Sequence, residues 1–267
     1  MFVTAAASTA PLSADDWPEG NAVVRLVASA ERASPSQPTL VGIRFDIRPG
    51  WHIYWRNPGG AGVATEIRWR LPNGVTAGET LWPVPIAFVQ SGDIPGYGYE
   101  DEVVLAAELE GSPLASDAVV GASVSWLACK DVCVLGSAEL ETRWSEVSND
   151  PVFAHWQSML PASWSDDNAP FSVTTTGGLA GGSLTLWLRW RHSPGEVEWF
   201  PDPPEGLVVE DVSISTRGGL SRIDASVRKM AGAAGEFATL PSVVAVTDQH
   251  RERRGWSLAV DLTDDNS

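Results

Sequence analysis

Thr39–Gly50, TLVGIRFDIRPG, sets Val41, Ile43, Phe45 and Ile47 against Gly42, Arg44, Asp46 and Arg48. Apolar residues at every second position line one face of a pleated strand, so this run predicts a half-buried β-strand ending at Pro49-Gly50. The same period recurs in NAVVRLVASAER (Val24, Leu26, Ala28, Ala30), EIRWRL (Ile67, Trp69, Leu71) and SAELETRW (Ala138, Leu140, Thr142, Trp144). Turn chemistry separates the runs. NPGG at Asn57–Gly60 has Pro and Gly in type II order, and PNG at Pro72–Gly74 predicts a hairpin turn. Short strands punctuated by Gly and Pro predict β-sandwiches.

Composition changes near Ser145. A helical stretch is expected over Pro151–Leu160, with Asp150 as N-cap, Pro151 at the first helical position and Pro161 as the stop. Strands then resume in SLTLWLRW, VEWFP, LVVEDVSIS and SRIDASVRK, closing with the hairpin SVVAVTDQHRERRGWSLAVDL. The expected organisation is all-β: a tail over 1–18, a sandwich over 19–146, a short helical linker over 147–165 and a second sandwich over 166–267. Both sandwiches are of ordinary domain size.

Lys and Arg number 18 against 34 Asp and Glu, a net charge of −16. That balance repels phosphate backbones and anionic lipid, so neither nucleic acid nor a membrane surface is an expected partner. No apolar run approaches the roughly 18 residues of a membrane-spanning helix. The opening MFVTAAASTAPLSADDW has the small residues of a signal-peptide end but no basic n-region or full apolar h-region. It reads equally as an export-signal remnant or as an unstructured tail. Of the thirteen tryptophans, Trp51 and Trp55 share a strand phase with Ile53, and Trp69 shares one with Ile67 and Leu71. Core rings are expected in preference to a sugar-binding platform.

Both cysteines of the chain, Cys129 and Cys133, fall within LACKDVCVLG. Three readings are open. A disulfide closing about five residues is a poor staple: chain entropy gives it roughly 2 kcal/mol, against about 4.7 for a 100-residue loop. A structural zinc site needs four ligands, and beside one cysteine pair stand four scattered histidines, His52, His155, His192 and His250. Two thiolates alone suit a soft ion such as Cu(I). The third reading is a redox couple. VVGASVSWLAC runs strand-like through Val120, Ala122, Val124 and Trp126, breaks at CKDVC and resumes at SAELETRW, which puts both sulfurs at the turn end of a hairpin. A turn-located, short-loop disulfide is of the exchangeable kind. Lys130 favours a thiolate there and Asp131 opposes it.

GWHIYWRNPGGAG (Gly50–Gly62), GYGYEDEVVL (Gly96–Leu105) and WLACKDVCVLGSAEL (Trp126–Leu140) resemble, in that order, the periplasmic N-terminal region of the DsbD/ScsB thiol:disulfide interchange family. VEWFPDPPEGLVVE and the closing hairpin resemble the second sandwich of the ScsB-like branch. The resemblance implies two tandem immunoglobulin-like β-sandwiches in the bacterial periplasm, and a Cys129–Cys133 pair cycling between dithiol and disulfide without a dissociable cofactor. It also implies a membrane-embedded thiol–disulfide electron donor and periplasmic thioredoxin-fold proteins as partners. Cys133 is expected to be the sulfur attacked and Cys129 the resolving one. Copper tolerance, associated with the ScsB branch, is the rival expectation, together with a non-catalytic binding module holding a structural disulfide.

The resemblance sets SGDIPGYGYEDE (Ser91–Glu102) near the active site, with Tyr97 and Tyr99 as candidate shields and Glu100, Lys130 and Asp131 as neighbours. Its glycines are not a phosphate cradle, since three carboxylates follow and no helix does. His52 and Tyr54, out of phase with Trp51 and Trp55, are weaker candidates for the same place. Relatives commonly carry proline where this chain has Leu135. No membrane-spanning segment or CxxC domain is present in the sequence, so electrons are expected from a separate membrane protein or from the rest of a longer polypeptide.

Overall fold

A computed structural model describes residues 17–29, 39–90, 92–165 and 167–263. Residues 1–16 of the expected tail therefore lie outside the described residues. The first sandwich is built from β1 (Ala22–Ala28), β2 (Leu40–Ile47), β3 (His52–Gly59), β4 (Glu66–Arg70), β5 (Val75–Ala77), β6 (Ile86–Gln90), β7 (Ile94–Glu100), β8 (Glu102–Gly111), β9 (Val119–Cys129), β10 (Cys133–Arg143) and β11 (Ser148–Asn149). One sheet runs β11-β1-β2-β8-β5; the other runs β10-β9-β3-β7-β6, with β4 also on β9. The alternation in TLVGIRFDIRPG does what it predicts: Ile43, Phe45 and Ile47 enter the core, while Arg44 and Asp46 stay half-exposed. Across the sandwich they meet Ile53, Trp55, Ala122, Val124 and Trp126.

The turn at PNG forms, with Gly74 at φ +82° and the Val75 N–H donating to Pro72 O at 3.1 Å. It is not a hairpin turn. β4 pairs with β9 and β5 with β8, so the chain crosses there from one sheet to the other. NPGG does not form the expected turn: Asn57, Pro58 and Gly59 end β3, where a register irregularity after Tyr54 brings Gly59, at φ +86°, opposite Gly96, and the chain bends only at Gly60.

The connecting segment holds α1 (Phe153–Met159), two residues shorter at its start than expected. Asp150 Oδ1 accepts from the Val152 N–H at 3.0 Å, and the Asp150 carboxylate is bound by Arg44 at 2.9 Å. The segment is more than a linker. Its first end adds β11 to β1, and its second adds β12 (Ala162–Ser163) to β19 of the second sandwich.

The second sandwich comprises β13 (Phe171–Gly178), β14 (Ser183–Trp190), β15 (Glu196–Pro201), β16 (Leu207–Arg217), β17 (Leu220–Lys229), β18 (Thr239–Thr247) and β19 (Arg253–Asp261). Its sheets run β12-β19-β18-β15 and β13-β14-β17-β16. β18 has two apolar faces: Val244 joins the sandwich's own core, and Val243 and Ala245 join that of the first. Phe200 on β15 crosses with them, its ring 5.2 Å from Tyr97 and 6.1 Å from Trp55. All thirteen tryptophans are described and none is exposed, as the phase argument requires.

Candidate functional site

β9 and β10 form a hairpin in which Cys129 and Cys133 are direct register partners. The three intervening residues close it with one main-chain bond, Lys130 N–H to Val132 O at 3.1 Å. The sulfurs are joined as a disulfide, with Cα atoms 4.1 Å apart. The two halves differ in environment: Cys129 is 1% exposed, whereas Cys133 faces solvent at the end of the sheet.

Register carries the row inward. Cys129 pairs with His52 on β3, and His52 with Glu100 on β7. Side chains in one row share a face, so Cys133, Cys129, His52 and Glu100 line up across four strands. His52 is buried, and desolvation lowers its pKa to about 4, so the imidazole is neutral near pH 7 and its Nε2 has no protein partner. It gives no positive charge to a neighbouring thiolate. Its ring packs on Phe88 with centroids 3.8 Å apart and meets Tyr54 edge-on at 5.4 Å.

Tyr54 is fully buried one row further along, and burial pushes its phenol pKa up. Its hydroxyl lies 3.2 Å from Cys129 Sγ and 2.6 Å from Gln90 Oε1. Gln90 donates from Nε2 to Ala61 O at 3.1 Å, which fixes the amide with its oxygen toward Tyr54. A phenol has one proton and two acceptors compete for it: an amide oxygen and a sulfur. Against a disulfide sulfur, a weak acceptor, the amide wins; against a thiolate the balance turns.

Two glycine-rich stretches make room for these rings. A Cβ on Gly96 would lie 2.2 Å from Phe88, and one on Gly62 would lie 2.4 Å from the Tyr54 ring. GYGYE is thus a strand with Gly96 against Phe88 and Gly98 against the β3 main chain at Ile53. Its tyrosine phase faces the core: Tyr97 packs on Phe200, and Tyr99 donates to Pro83 O at 2.8 Å, so neither ring covers the disulfide. The rings on the sulfur side are His52, Tyr54 and Phe88. Glu100 reaches the row only through His52. Lys130 lies over Gly50, where a Cβ would meet its Nζ at 3.4 Å, and Asp131 is exposed at the turn.

Phe88 and Gln90 escaped the sequence reading because β6 reaches the site by lateral pairing through β7, and no local pattern announces that register. Among the described residues, no group of three or more His, Cys, Asp or Glu side chains is arranged to hold a metal ion.

The fold is a pair of immunoglobulin-like β-sandwiches, the first carrying a disulfide on a hairpin at the solvent edge of a sheet. Residues 24–143 match the family model described as thiol:disulfide interchange protein DsbD, N-terminal. The N-terminal periplasmic domain of ScsB from Proteus mirabilis is similar over nearly its full length, at 25% identity and a TM-score of 0.68, covering 94% of this chain and 97% of that one. The first sandwich is thus similar to the DsbD N-terminal family, and the two matches together support a DsbD/ScsB-like N-terminal region. No curated protein sequence matches it. Among the described residues, no helix is long and apolar enough to cross a membrane.

Proposed function

We propose that the chain is a periplasmic thiol–disulfide exchange module, a protein-disulfide reductase component that relays electrons from a membrane-embedded donor to periplasmic thioredoxin-fold proteins. The unequal exposure of its two sulfurs carries this reading. An incoming donor thiolate attacks exposed Cys133 Sγ, the Sγ–Sγ bond breaks, and Cys129 leaves as a thiolate that takes up a proton. The donor's second thiolate then attacks the donor sulfur of the mixed disulfide and releases Cys133. Two electrons have entered and the donor is left as a disulfide. Passing them on reverses the sequence: Cys133 thiolate attacks a client disulfide and Cys129 resolves the mixed disulfide.

Tyr54 supports the leaving step. Burial penalises the Cys129 thiolate, and with His52 neutral, the hydroxyl 3.2 Å away is the group positioned to stabilise it. The turn flanking Cys133 suits protein partners, because Val132 and Leu135 are exposed at 64% and 73% and offer apolar contact beside the attacked sulfur. The test is capture of a mixed disulfide with a thioredoxin-fold protein bearing a single reactive cysteine. Cys129→Ser should accumulate the adduct through Cys133, and Cys133→Ser should not. Equal capture by both variants, or by neither, contradicts the assignment.

A further inference from the structure

β6 is an edge strand: among the described residues, β7 is its one partner in the sheet. Its outer side is held by the second sandwich. Glu198 Oε1 accepts from the Ala87 N–H at 3.2 Å, and Arg253, ion-paired with Glu198, donates to Pro85 O. Both side chains are about four-fifths buried, at 18% and 22% exposure. Just upstream, the Val84 N–H donates to Met159 O at 2.8 Å, and the Val84 side chain packs where a Cβ on Gly255 would lie 2.5 Å from it. The strand so held carries Phe88 to His52 and Gln90 to Tyr54.

We infer that Glu198 and Arg253 are positioning residues of the disulfide site: the second sandwich fixes β6 so that Gln90 holds the Tyr54 hydroxyl, and thereby sets how readily that hydroxyl turns to the Cys129 sulfur. The chain of contacts is continuous, from the Arg253–Glu198 pair to the β6 main chain, to Gln90 Oε1, to the Tyr54 hydroxyl, to Cys129 Sγ. An unpaired edge strand tolerates sliding and fraying, and a shift of about an ångström removes a hydrogen bond. With Gln90 withdrawn, the phenol proton is free for a Cys129 thiolate, which it stabilises by a charge-assisted bond. This inference deepens the proposed exchange reaction by giving the second sandwich a part in it.

The experiment uses the full chain, reduced beforehand with a phosphine, and follows iodoacetamide alkylation of Cys129 against pH in a Cys133→Ser background, so no partner protein enters. Arg253→Met and Glu198→Ala should each move the Cys129 profile to lower pH and raise its rate near neutrality about three- to tenfold, the scale of one coupled hydrogen bond. Gln90→Leu alone should do the same, and adding Arg253→Met to it should give no further gain. Asp202→Asn, which weakens the separate Arg56–Asp202 contact between the sandwiches at 2.7 Å without touching β6, should leave the profile in place. Near-UV circular dichroism shows that each variant is folded. Multiplying effects of Gln90→Leu and Arg253→Met, or an equal shift from Asp202→Asn, overturns the inference. Failure to capture a mixed disulfide would refute the exchange reaction and leave these alkylation results standing.

Discussion

Tyr54 sets its hydroxyl oxygen 3.2 Å from Cys129 Sγ while bonded to Gln90 at 2.6 Å. The buried sulfur therefore has a proton source in contact with it, held in reserve by an amide whose orientation is itself fixed by Ala61 O.

Tyr54→Phe keeps the ring and removes that proton. Attack at Cys133 should then slow about tenfold or more, since a hydrogen bond to a charged group contributes about 1.5–3 kcal/mol and part of it forms in the transition state. Stopped-flow reduction by dithiothreitol measures this, and an unchanged rate would remove Tyr54 from the reaction. Stability should fall by about 1 kcal/mol, because Gln90 Oε1 loses its partner.

His52 makes stability depend on pH. Its folded pKa is lowered from 6.5 to about 4, so between those values the unfolded chain binds more protons than the folded one. Its contribution is present above pH 6.5 and is lost as pH falls toward 4. The loss should be on the order of 1–3 kcal/mol. Urea unfolding at pH 7 and pH 4.5 gives the wild-type difference, and His52→Phe should show a smaller one. Identical pH dependence in both proteins would contradict the burial argument.

Gly96→Ala places a methyl group where Phe88 now lies, 2.2 Å from the built Cβ. The strand conformation accepts alanine, so the cost is steric, about 1–3 kcal/mol for a forced ring displacement. The expected readouts are a lower melting temperature and loss of the Phe88 packing on His52, visible as a raised imidazole pKa by NMR titration. An unmoved His52 titration would mean that Phe88 does not determine its burial.

Arg44 joins Asp46 and Glu102 in the first sandwich to Asp150 in the connecting segment. Asp150 is 8% exposed at its side chain, so Arg44→Met leaves a buried carboxylate without its cation. A loss of about 2–4 kcal/mol is expected. Arg44→Met/Asp150→Asn should recover part of it in chemical denaturation.

Much of the fold was legible from strand period alone, because residues such as Ile43, Phe45, Val124 and Trp126 face a core whose side is fixed by the pleat. The hairpin position of both sulfurs was legible for the same reason: the apolar phase of β9 runs through Val124 and Trp126 to Ala128 and breaks at a short turn, whereas the disulfide itself was one of three readings that the residues left open. What period does not reveal is which strand lies beside which. Tyr97 and Tyr99 look like a cover for the sulfurs until register pairs Tyr99 with Ile53 and turns that phase to the core. His52 and Tyr54 were visible as out-of-phase residues, yet their importance depends on Phe88 and Gln90, two strands away. The PNG turn misled because turn chemistry specifies a reversal and not the sheet in which the next strand pairs.

Exchange by the Cys129–Cys133 pair requires a couple that is neither locked nor inert. Its equilibrium reduction potential, measured by thiol trapping across a glutathione or dithiothreitol series, tests this most directly. A value of roughly −120 to −270 mV, with attack confined to Cys133, is the predicted result. A value well below about −300 mV, with sulfurs unreactive in the folded protein, would mark a structural disulfide and contradict the account.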